Sequence, residues 1–156
     1  MDLKELYKDI ILEHGKSPRN FGKCEKHTHE AKGHNPLCGD QVQIYLKLNN
    51  KKKVENLTFE GSGCAISIAS TSIMTELVKG KTIEVAKKII IHFLDMIKNT
   101  SEIKSNDLDE DQKIKIMSLS GVKQYPMRVK CATLAWHTLT SAIEGKKEEV
   151  NTEATD

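Results

Sequence analysis

The sequence predicts an α+β fold in which helices pack on a small antiparallel β-sheet. Two patterns carry this prediction. Residues 42–59 alternate in polarity around a turn, whereas the apolar residues after Gly63 recur at helical spacing. Strands followed by a run of helices indicate a sheet covered by helices. No repeat or second domain is apparent, so we expect one domain over residues 1–145 and a disordered tail over residues 146–156.

The first element is an amphipathic helix. Residues 2–14 place leucine, isoleucine and tyrosine side chains on one stripe, and Gly15 supplies a C-terminal cap. Residues 16–37 are polar and irregular, with a weak strand signal near residues 28–33. The sequence therefore predicts a helix followed by a long, mostly irregular segment.

A β-hairpin follows. Residues 42–48 alternate as a half-buried strand, residues 49–52 form a turn, and residues 54–59 return as the antiparallel partner. The alternation of apolar and polar residues is interrupted between Val54 and Leu57, which indicates a bulge.

The sequence of the second half of the chain predicts helices. The first begins after Gly63 and ends at Gly80, the next begins at Thr82 as N-cap, and the last carries Pro126 in its first turn. Residues 99–113 form a polar connector, either a loop or a short helix. The buried faces of the last two long helices are Ala86, Ile89, Phe93, Ile97, Ala132, Ala135, Leu139 and Ala142.

Composition narrows the function classes. The 156 residues are 29% charged and 38% apolar, with a net charge of +2, and no stretch is apolar enough to span a membrane. Aromatic residues make up 4% and the one compact lysine run is 51–53, which argues against a nucleic-acid surface. The charged N-terminus does not read as a signal peptide, so we expect a cytoplasmic protein with reduced thiols and no membrane partner.

Three of the four cysteines stand in distinctive contexts. Cys38 precedes Gly39 and Asp40, Cys64 follows a Gly-Ser-Gly run at a strand-to-helix junction, and Cys131 lies near the start of the last helix. An extended Cys38–Asp40 segment would point thiol and carboxylate to one side. These are ligand types for zinc or iron, and they also suit sulfur transfer. The spacing matches no zinc-finger pattern, and buried, inert cysteines remain an alternative, above all at Cys131.

Other polar residues have ordinary interpretations. Cys24 reads as an exposed thiol and Trp136 as a packing residue. Arg128 either neutralises the charge of the candidate ligands or is a solvated arginine of the first helical turn. The loop histidines are expected to be solvated rather than metal-binding: His27, His29 and His34.

The segments around the three cysteines resemble the signatures of a known family. Residues 35–40, 59–67 and 128–136 closely resemble the three signature segments of the NifU/IscU-like iron–sulfur cluster assembly proteins. Residues 6–14 and 18–20 look like that family too, and the match runs over residues 3–144 in the family's order.

The resemblance points to the SufU branch. IscU-type scaffolds have a histidine directly before the last cysteine, where this chain has Lys130, and the connector between the last two signatures is long, as in SufU proteins. The implied function is to accept persulfide sulfur from a SufS-type cysteine desulfurase and to relay it to downstream assembly proteins or apo-acceptors. Cys38 is the expected acceptor because its loop should move more easily than a helix. The implied zinc ligands are Cys38, Asp40, Cys64 and Cys131.

Three other functions stay open at this point. The same four residues could assemble a transient [2Fe–2S] cluster or hold iron, as in IscU-type scaffolds. A purely structural zinc domain is a further alternative. A dithiol oxidoreductase is disfavoured because the chain has no Cys-x-x-Cys. Whether the chain is an enzyme, as a zinc-dependent sulfurtransferase would be, is likewise open.

Overall fold

A computed structural model describes residues 3–99 and 107–153 of the chain. Within these ranges the helices and strands follow each other in the predicted order, with a short additional strand at the end. The elements are α1 (Leu3–Lys16), β1 (His29–Asn35), β2 (Asp40–Leu48), β3 (Val54–Ser62), α2 (Ala65–Val78), α3 (Ile83–Lys98), α4 (Glu110–Ser118), a 3₁₀ helix (Leu119–Gln124), α5 (Pro126–Glu144) and β4 (Val150–Asn151).

The four strands form one sheet in the order β3-β2-β1-β4. β2 and β3 form the predicted antiparallel hairpin, β1 pairs antiparallel with β2, and β4 pairs with β1 in parallel, so the sheet is mixed. The predicted bulge is confirmed: Lys47 pairs with Asn56 and Leu48 with Val54, which leaves Glu55 as the extra residue.

The C-terminal segment differs from its prediction. The sequence predicts a disordered tail from residue 146, yet Val150 pairs with Gly33 and Asn151 with His34. The edge of β1 offers unpaired backbone groups, and a segment of two residues suffices to bond to them. Such a short strand has no periodicity that a sequence could reveal. Residues 154–156 lie outside the described part of the chain, and the domain boundary at residue 145 stays a prediction.

Helices α2 and α5 pack against the sheet and against each other, and they enclose the core. Trp136 is fully buried and stacks on Phe93 with ring centroids 4.0 Å apart, which confirms its packing role. Its indole N–H donates to the Ser70 hydroxyl at 2.9 Å, and that hydroxyl donates to the carbonyl oxygen of Ala132. The eight core residues predicted on α3 and α5 are all buried.

Most predicted helix boundaries are confirmed. The Thr82 side chain caps α3 by accepting from the Val85 amide, and Pro126 is the first residue of α5. The predicted cap at Gly15 is wrong, because α1 continues to Lys16. Within the 99–113 connector, α4 begins at Glu110 behind a capping box, and residues 100–106 lie outside the described ranges.

None of the described helices combines the length and the apolarity that crossing a membrane requires.

Candidate metal centre

The turn between β1 and β2 carries the first two predicted ligands. The Asn35 carbonyl oxygen accepts from the amides of Cys38 and Gly39, at 3.3 and 2.8 Å, and Gly39 has φ +73°. The segment is therefore a turn, which agrees with the loop expected at Cys38 but not with an extended Cys38–Asp40 segment, and the left-handed φ explains the need for glycine. Cys38 is half-buried in this turn, and Asp40 is fully buried at the start of β2.

The turn faces the second helical turn of α5, which brings three predicted ligands together. The side-chain ligand atoms of Cys38, Asp40 and Cys131 all lie within 4.8 Å of one another. Ligands of tetrahedral zinc lie about 2.0–2.3 Å from the metal, so small side-chain rotations would bring these atoms into its shell. Two sulfurs and one carboxylate suit zinc or iron rather than magnesium or calcium.

Cys64 lies beside this group rather than within it. It is the N-cap residue of α2, and its backbone N–H donates to Asp40 Oδ1 at 2.9 Å. A hydrogen bond from Cys131, together with the backbone N–H groups of Ser67 and Ile66, lowers the pKa of Cys64 to about 6 against the effect of burial. The same contact with Cys64, followed by burial, raises the pKa of Cys131. Of the pair Cys64 and Cys131, Cys64 is therefore the one that ionises first, next to the other candidate ligands.

The Asp40 carboxylate fits into a space that only glycine leaves open. A Cβ atom at Gly63 would lie 2.2 Å from Asp40 Oδ1, and Gly63 has φ +140°. Asp40 also accepts from Asn35 Nδ2 at 3.2 Å, in addition to the Cys64 amide. A fully buried carboxylate among thiols is costly unless a positive charge compensates it. The donor set and the space therefore fit a bound cation.

Two basic residues of α5 differ in their relation to the site. Arg128 Nη1 lies 3.8 Å from Cys38 Sγ, which agrees with the charge-neutralising interpretation of this exposed side chain. A hydrogen bond with Cys131, followed by the charges of the thiols, raises the pKa of Arg128. Lys130 Nζ instead lies 3.1 Å from Glu153 Oε1, in an ion pair beyond the end of β4.

Two polar residues beside the site are not predicted from the sequence. Asn35 is fully buried, and its Nδ2 lies 3.2 Å from Asp40 Oδ2 and 3.4 Å from Cys131 Sγ. Thr152, also fully buried, donates its hydroxyl to Asn35 Oδ1 at 2.9 Å. Asn35 could have been singled out because it lies in the first signature segment. No sequence signal indicates Thr152, which lies in the expected tail.

The remaining cysteine and the three histidines, of which His29 and His34 lie in β1, are not members of the ligand group. Cys24 is buried, with Asn56 Nδ2 3.7 Å from its sulfur, so the prediction of an exposed thiol is wrong. The loop around it folds back onto β3, which the local polar sequence does not indicate. Within the described ranges, no group of three or more metal-ligand side chains includes His27, His29 or His34.

An apolar surface adjoins the centre. Leu37 directly precedes Cys38, and the carbonyl oxygen of Met127 lies 4.0 Å from Cys38 Sγ; their side chains are 58% and 67% exposed. A groove of about 450 Å³ continues from Arg128 past Tyr125 to Leu12. Exposed apolar side chains grouped around a reactive site are typical of a surface that binds a protein partner.

Comparisons with known proteins agree with the resemblance of the cysteine segments. The family model of the NifU-like N-terminal domain matches residues 6–132. The chain is 40% identical to the zinc-dependent sulfurtransferase SufU of Bacillus subtilis, over 95% of each chain. It is 34% identical to the iron–sulfur cluster assembly scaffold protein IscU of Streptococcus pyogenes, over 91% of this chain and 85% of that protein.

Solved structures confirm the α+β fold. A crystal structure from Fervidobacterium islandicum, of a candidate iron–sulfur cluster assembly scaffold protein for the SUF system, superposes with a TM-score of 0.78 at 36% identity. The superposition covers 89% of this chain and 97% of that one. The N-terminal part of a nitrogen-fixing NifU-like protein from Brucella abortus shares the fold with the same TM-score at 22% identity.

Proposed function

The chain belongs to the family of NifU-like N-terminal domains, and we propose that it serves iron–sulfur cluster assembly as a SufU-type protein. In this proposal it accepts persulfide sulfur from a SufS-type cysteine desulfurase at Cys38 and relays it to cluster assembly. The observation that carries the proposal is the convergence of Cys38, Asp40 and Cys131 within 4.8 Å at a half-exposed turn. The 40% identity to a zinc-dependent sulfurtransferase over 95% of the chain supports it.

We assign the metal ligands to Cys38, Asp40, Cys64 and Cys131. Cys38, Asp40 and Cys131 form the group already described. Cys64 makes hydrogen bonds with two of its members, Asp40 and Cys131. Zinc, when bound, would keep the cysteine sulfurs deprotonated at neutral pH and hold them in a tetrahedral arrangement. Asp40 is the weakest donor of the four for a borderline-soft metal, which favours exchange of ligands at the site.

Cys38 is the residue that accepts sulfur. Its thiolate attacks the outer sulfur of the desulfurase persulfide, a new S–S bond forms as the old one breaks, and the desulfurase cysteine leaves as a thiolate. The outer sulfur keeps its proton, so no further oxidant or reductant is needed. Cys38 suits this role because it lies in a turn and is half-buried, whereas Cys131 is fully buried in α5. The guanidinium of Arg128, 3.8 Å away, stabilises negative charge on the attacking sulfur.

The desulfurase would dock on the apolar surface around Cys38. Leu37 and Met127, next to Cys38 in the turn and at the start of α5, are exposed, and Lys8 and Arg128 add positive charge along the adjoining groove. Burying such a surface would exclude water during sulfur transfer. The relayed sulfur then passes to downstream assembly proteins or apo-acceptors. We place this traffic in the cytoplasm, where thiols stay reduced.

A second candidate function is that of a scaffold that assembles and transfers a [2Fe–2S] cluster. The 34% identity to an IscU scaffold supports it. One observation favours the sulfur acceptor. IscU-type scaffolds carry a histidine where this chain has Lys130, and Lys130 is paired with Glu153 at 3.1 Å rather than directed at the ligands. A protonated lysine cannot replace histidine as a ligand.

Labelled sulfur tests the proposed function. The purified protein is analysed for zinc and then incubated with a cysteine desulfurase and isotopically labelled cysteine, with and without a chelator. We expect about one zinc per chain, faster desulfurase turnover that the chelator abolishes, and label on the wild type but not on Cys38→Ala. Cys24→Ala is the matched control and should accept label like the wild type.

Each alternative gives a different result in the same protein. A scaffold would take up a [2Fe–2S] cluster in anaerobic reconstitution and pass it to an apo-protein, without raising desulfurase turnover. A structural zinc domain would lose stability in Cys38→Ser while desulfurase turnover remained as in the wild type. Equal labelling of Cys38→Ala and wild type would refute the assignment of the acceptor.

A further inference from the structure

We propose that Asn35 and Thr152 are positioning residues of the metal centre, and that the C-terminal strap, residues 149–153, fixes the ligands Asp40 and Cys131 through them. This proposal deepens the proposed function and rests on its assignment of a metal to this site. It concerns metal binding, which is measured without the desulfurase.

The contacts form a continuous chain from the strap to the ligands. The Thr152 hydroxyl donates to Asn35 Oδ1 at 2.9 Å, and Asn35 Nδ2 lies 3.2 Å from Asp40 Oδ2 and 3.4 Å from Cys131 Sγ. All four side chains are fully buried, with a relative exposure of 0%. Water therefore does not compete for these polar groups, and each hydrogen bond is stronger than it would be at the surface.

The carboxamide of Asn35 must face the ligands with its nitrogen. Asp40 and Cys131 both present acceptors when they are deprotonated, so the NH₂ group can donate to each of them, while the oxygen would repel both. Thr152 supplies the donor that the amide oxygen needs on the opposite side. Without that hydroxyl, Oδ1 would be buried and unsatisfied, and the amide would lose the contact that fixes its orientation.

Backbone hydrogen bonds and side-chain contacts hold the strap itself in place. β4 pairs with β1, and the Thr152 amide donates to the His34 carbonyl at 3.2 Å. Glu149 lies 3.0 Å from His34 Nδ1, and Glu153 lies 3.1 Å from Lys130 Nζ, one residue before the ligand Cys131. The strap therefore joins the strand that leads into Cys38 to the helix that carries Cys131.

This arrangement acts on the metal through its ligands. Hydrogen bonds to ligating groups orient them and adjust how strongly they donate, and removing such a partner typically lowers metal affinity about 10- to 100-fold. Asn35 lies within hydrogen-bonding distance of two ligands, and Thr152 is linked to both of them through Asn35. The family match covers residues 6–132 and does not extend to Thr152, so family membership does not indicate this role.

Zinc affinity of four full-length proteins tests the proposal. Thr152→Val removes the hydroxyl at nearly constant shape, and Thr152→Ser restores it. Thr71→Val is the matched control, because Thr71 is also buried and its hydroxyl donates to the Ser67 carbonyl of its own helix. The affinity for zinc alone is measured by competition with a chromophoric chelator, and cobalt absorption spectra report the ligand geometry.

We expect Thr152→Val to bind zinc at least about tenfold more weakly than wild type and to alter the cobalt bands. The zinc affinities of Thr152→Ser and Thr71→Val should stay within about threefold of the wild-type value, and their cobalt spectra should match that of the wild type. Thr152→Val with wild-type affinity and spectrum would overturn the proposal, and so would an equal loss of affinity in Thr71→Val. If circular dichroism shows that Thr152→Val does not fold, Thr152→Ala takes its place under the same criteria.

Failure of the proposed function looks different. A wild-type protein that binds zinc but does not stimulate a desulfurase would refute sulfur transfer and leave the zinc comparison intact. Normal stimulation by wild type, together with wild-type zinc binding by Thr152→Val, would refute only the role of the strap.

Discussion

Gly63→Ala should damage the metal centre although it changes no ligand. Gly63 lies at the end of the Gly-Ser-Gly run, directly before Cys64, and the added methyl group would point at the Asp40 carboxylate. The new Cβ would be 2.2 Å from Asp40 Oδ1 and 2.9 Å from Asp40 Cα. The carboxylate can make room only by giving up its hydrogen bond with the Cys64 amide, which donates to it at 2.9 Å.

The cost has two parts that a control can separate. A non-glycine residue held at φ +140° carries strain of about 1–3 kcal/mol, and overpacking of a buried site adds about 1–3 kcal/mol. Gly80→Ala has the strain without the collision, because Gly80 has φ +87° and nothing lies within 4 Å of the position that its new Cβ would take. We expect losses of about 2–6 kcal/mol in the free energy of unfolding for Gly63→Ala and about 1–3 kcal/mol for Gly80→Ala.

Urea unfolding of the metal-free proteins and zinc titration against a chelator measure both effects. We expect zinc affinity to fall at least about tenfold in Gly63→Ala, because Asp40 is displaced, and to be unchanged in Gly80→Ala. If Gly63→Ala bound zinc as tightly as Gly80→Ala, Asp40 would not be held in the orientation described, and its role as a ligand would be in doubt.

Three further predictions concern other parts of the molecule. Burial lowers the pKa of His14, so the folded protein binds fewer protons there than the unfolded chain does. The protein should therefore lose stability as the pH falls below about 6.5. Between pH 7.5 and 5, the urea midpoint of His14→Gln should fall less than that of the wild type. Trp136→Phe removes the hydrogen bond to Ser70 and leaves a void, which should cost about 1–3 kcal/mol in urea unfolding and leave zinc affinity unchanged. Arg128→Gln removes the charge beside Cys38. Because exposed charges interact only weakly, labelling of Cys38 by a desulfurase should slow by about two- to fivefold. An unchanged rate would refute the role of the guanidinium.

Local patterns were enough to predict most of the fold. The alternation of polar and apolar residues predicts the hairpin, and the interruption of that alternation predicts its bulge. The helix boundaries at Thr82 and Pro126 follow from capping chemistry. The short strand β4 could not be predicted, because its two residues are stabilised by the open edge of a strand more than a hundred residues earlier. The burial of Cys24 depends in the same way on a distant partner, β3.

The sequence predicts which residues are candidate ligands, and this stays a prediction, but it does not predict their geometry. The three cysteine segments identify Cys38, Asp40, Cys64 and Cys131, and the structure brings three of them within 4.8 Å and the fourth beside them. Cys38 lies in a loop as expected, but the left-handed φ of Gly39 makes that loop a turn rather than an extended Cys38–Asp40 segment. Thr152 was missed because its role comes from the long-range pairing of the strap, which no local pattern encodes.

The most direct test of the sulfur-acceptor role is to locate the sulfur that a cysteine desulfurase delivers. The zinc-loaded protein is incubated with a desulfurase and isotopically labelled cysteine, alkylated, digested and sequenced by tandem mass spectrometry. We predict one labelled sulfur atom, attached to Cys38. A label found first on Cys24, Cys64 or Cys131, or on no cysteine while the desulfurase turns over normally, would contradict that role.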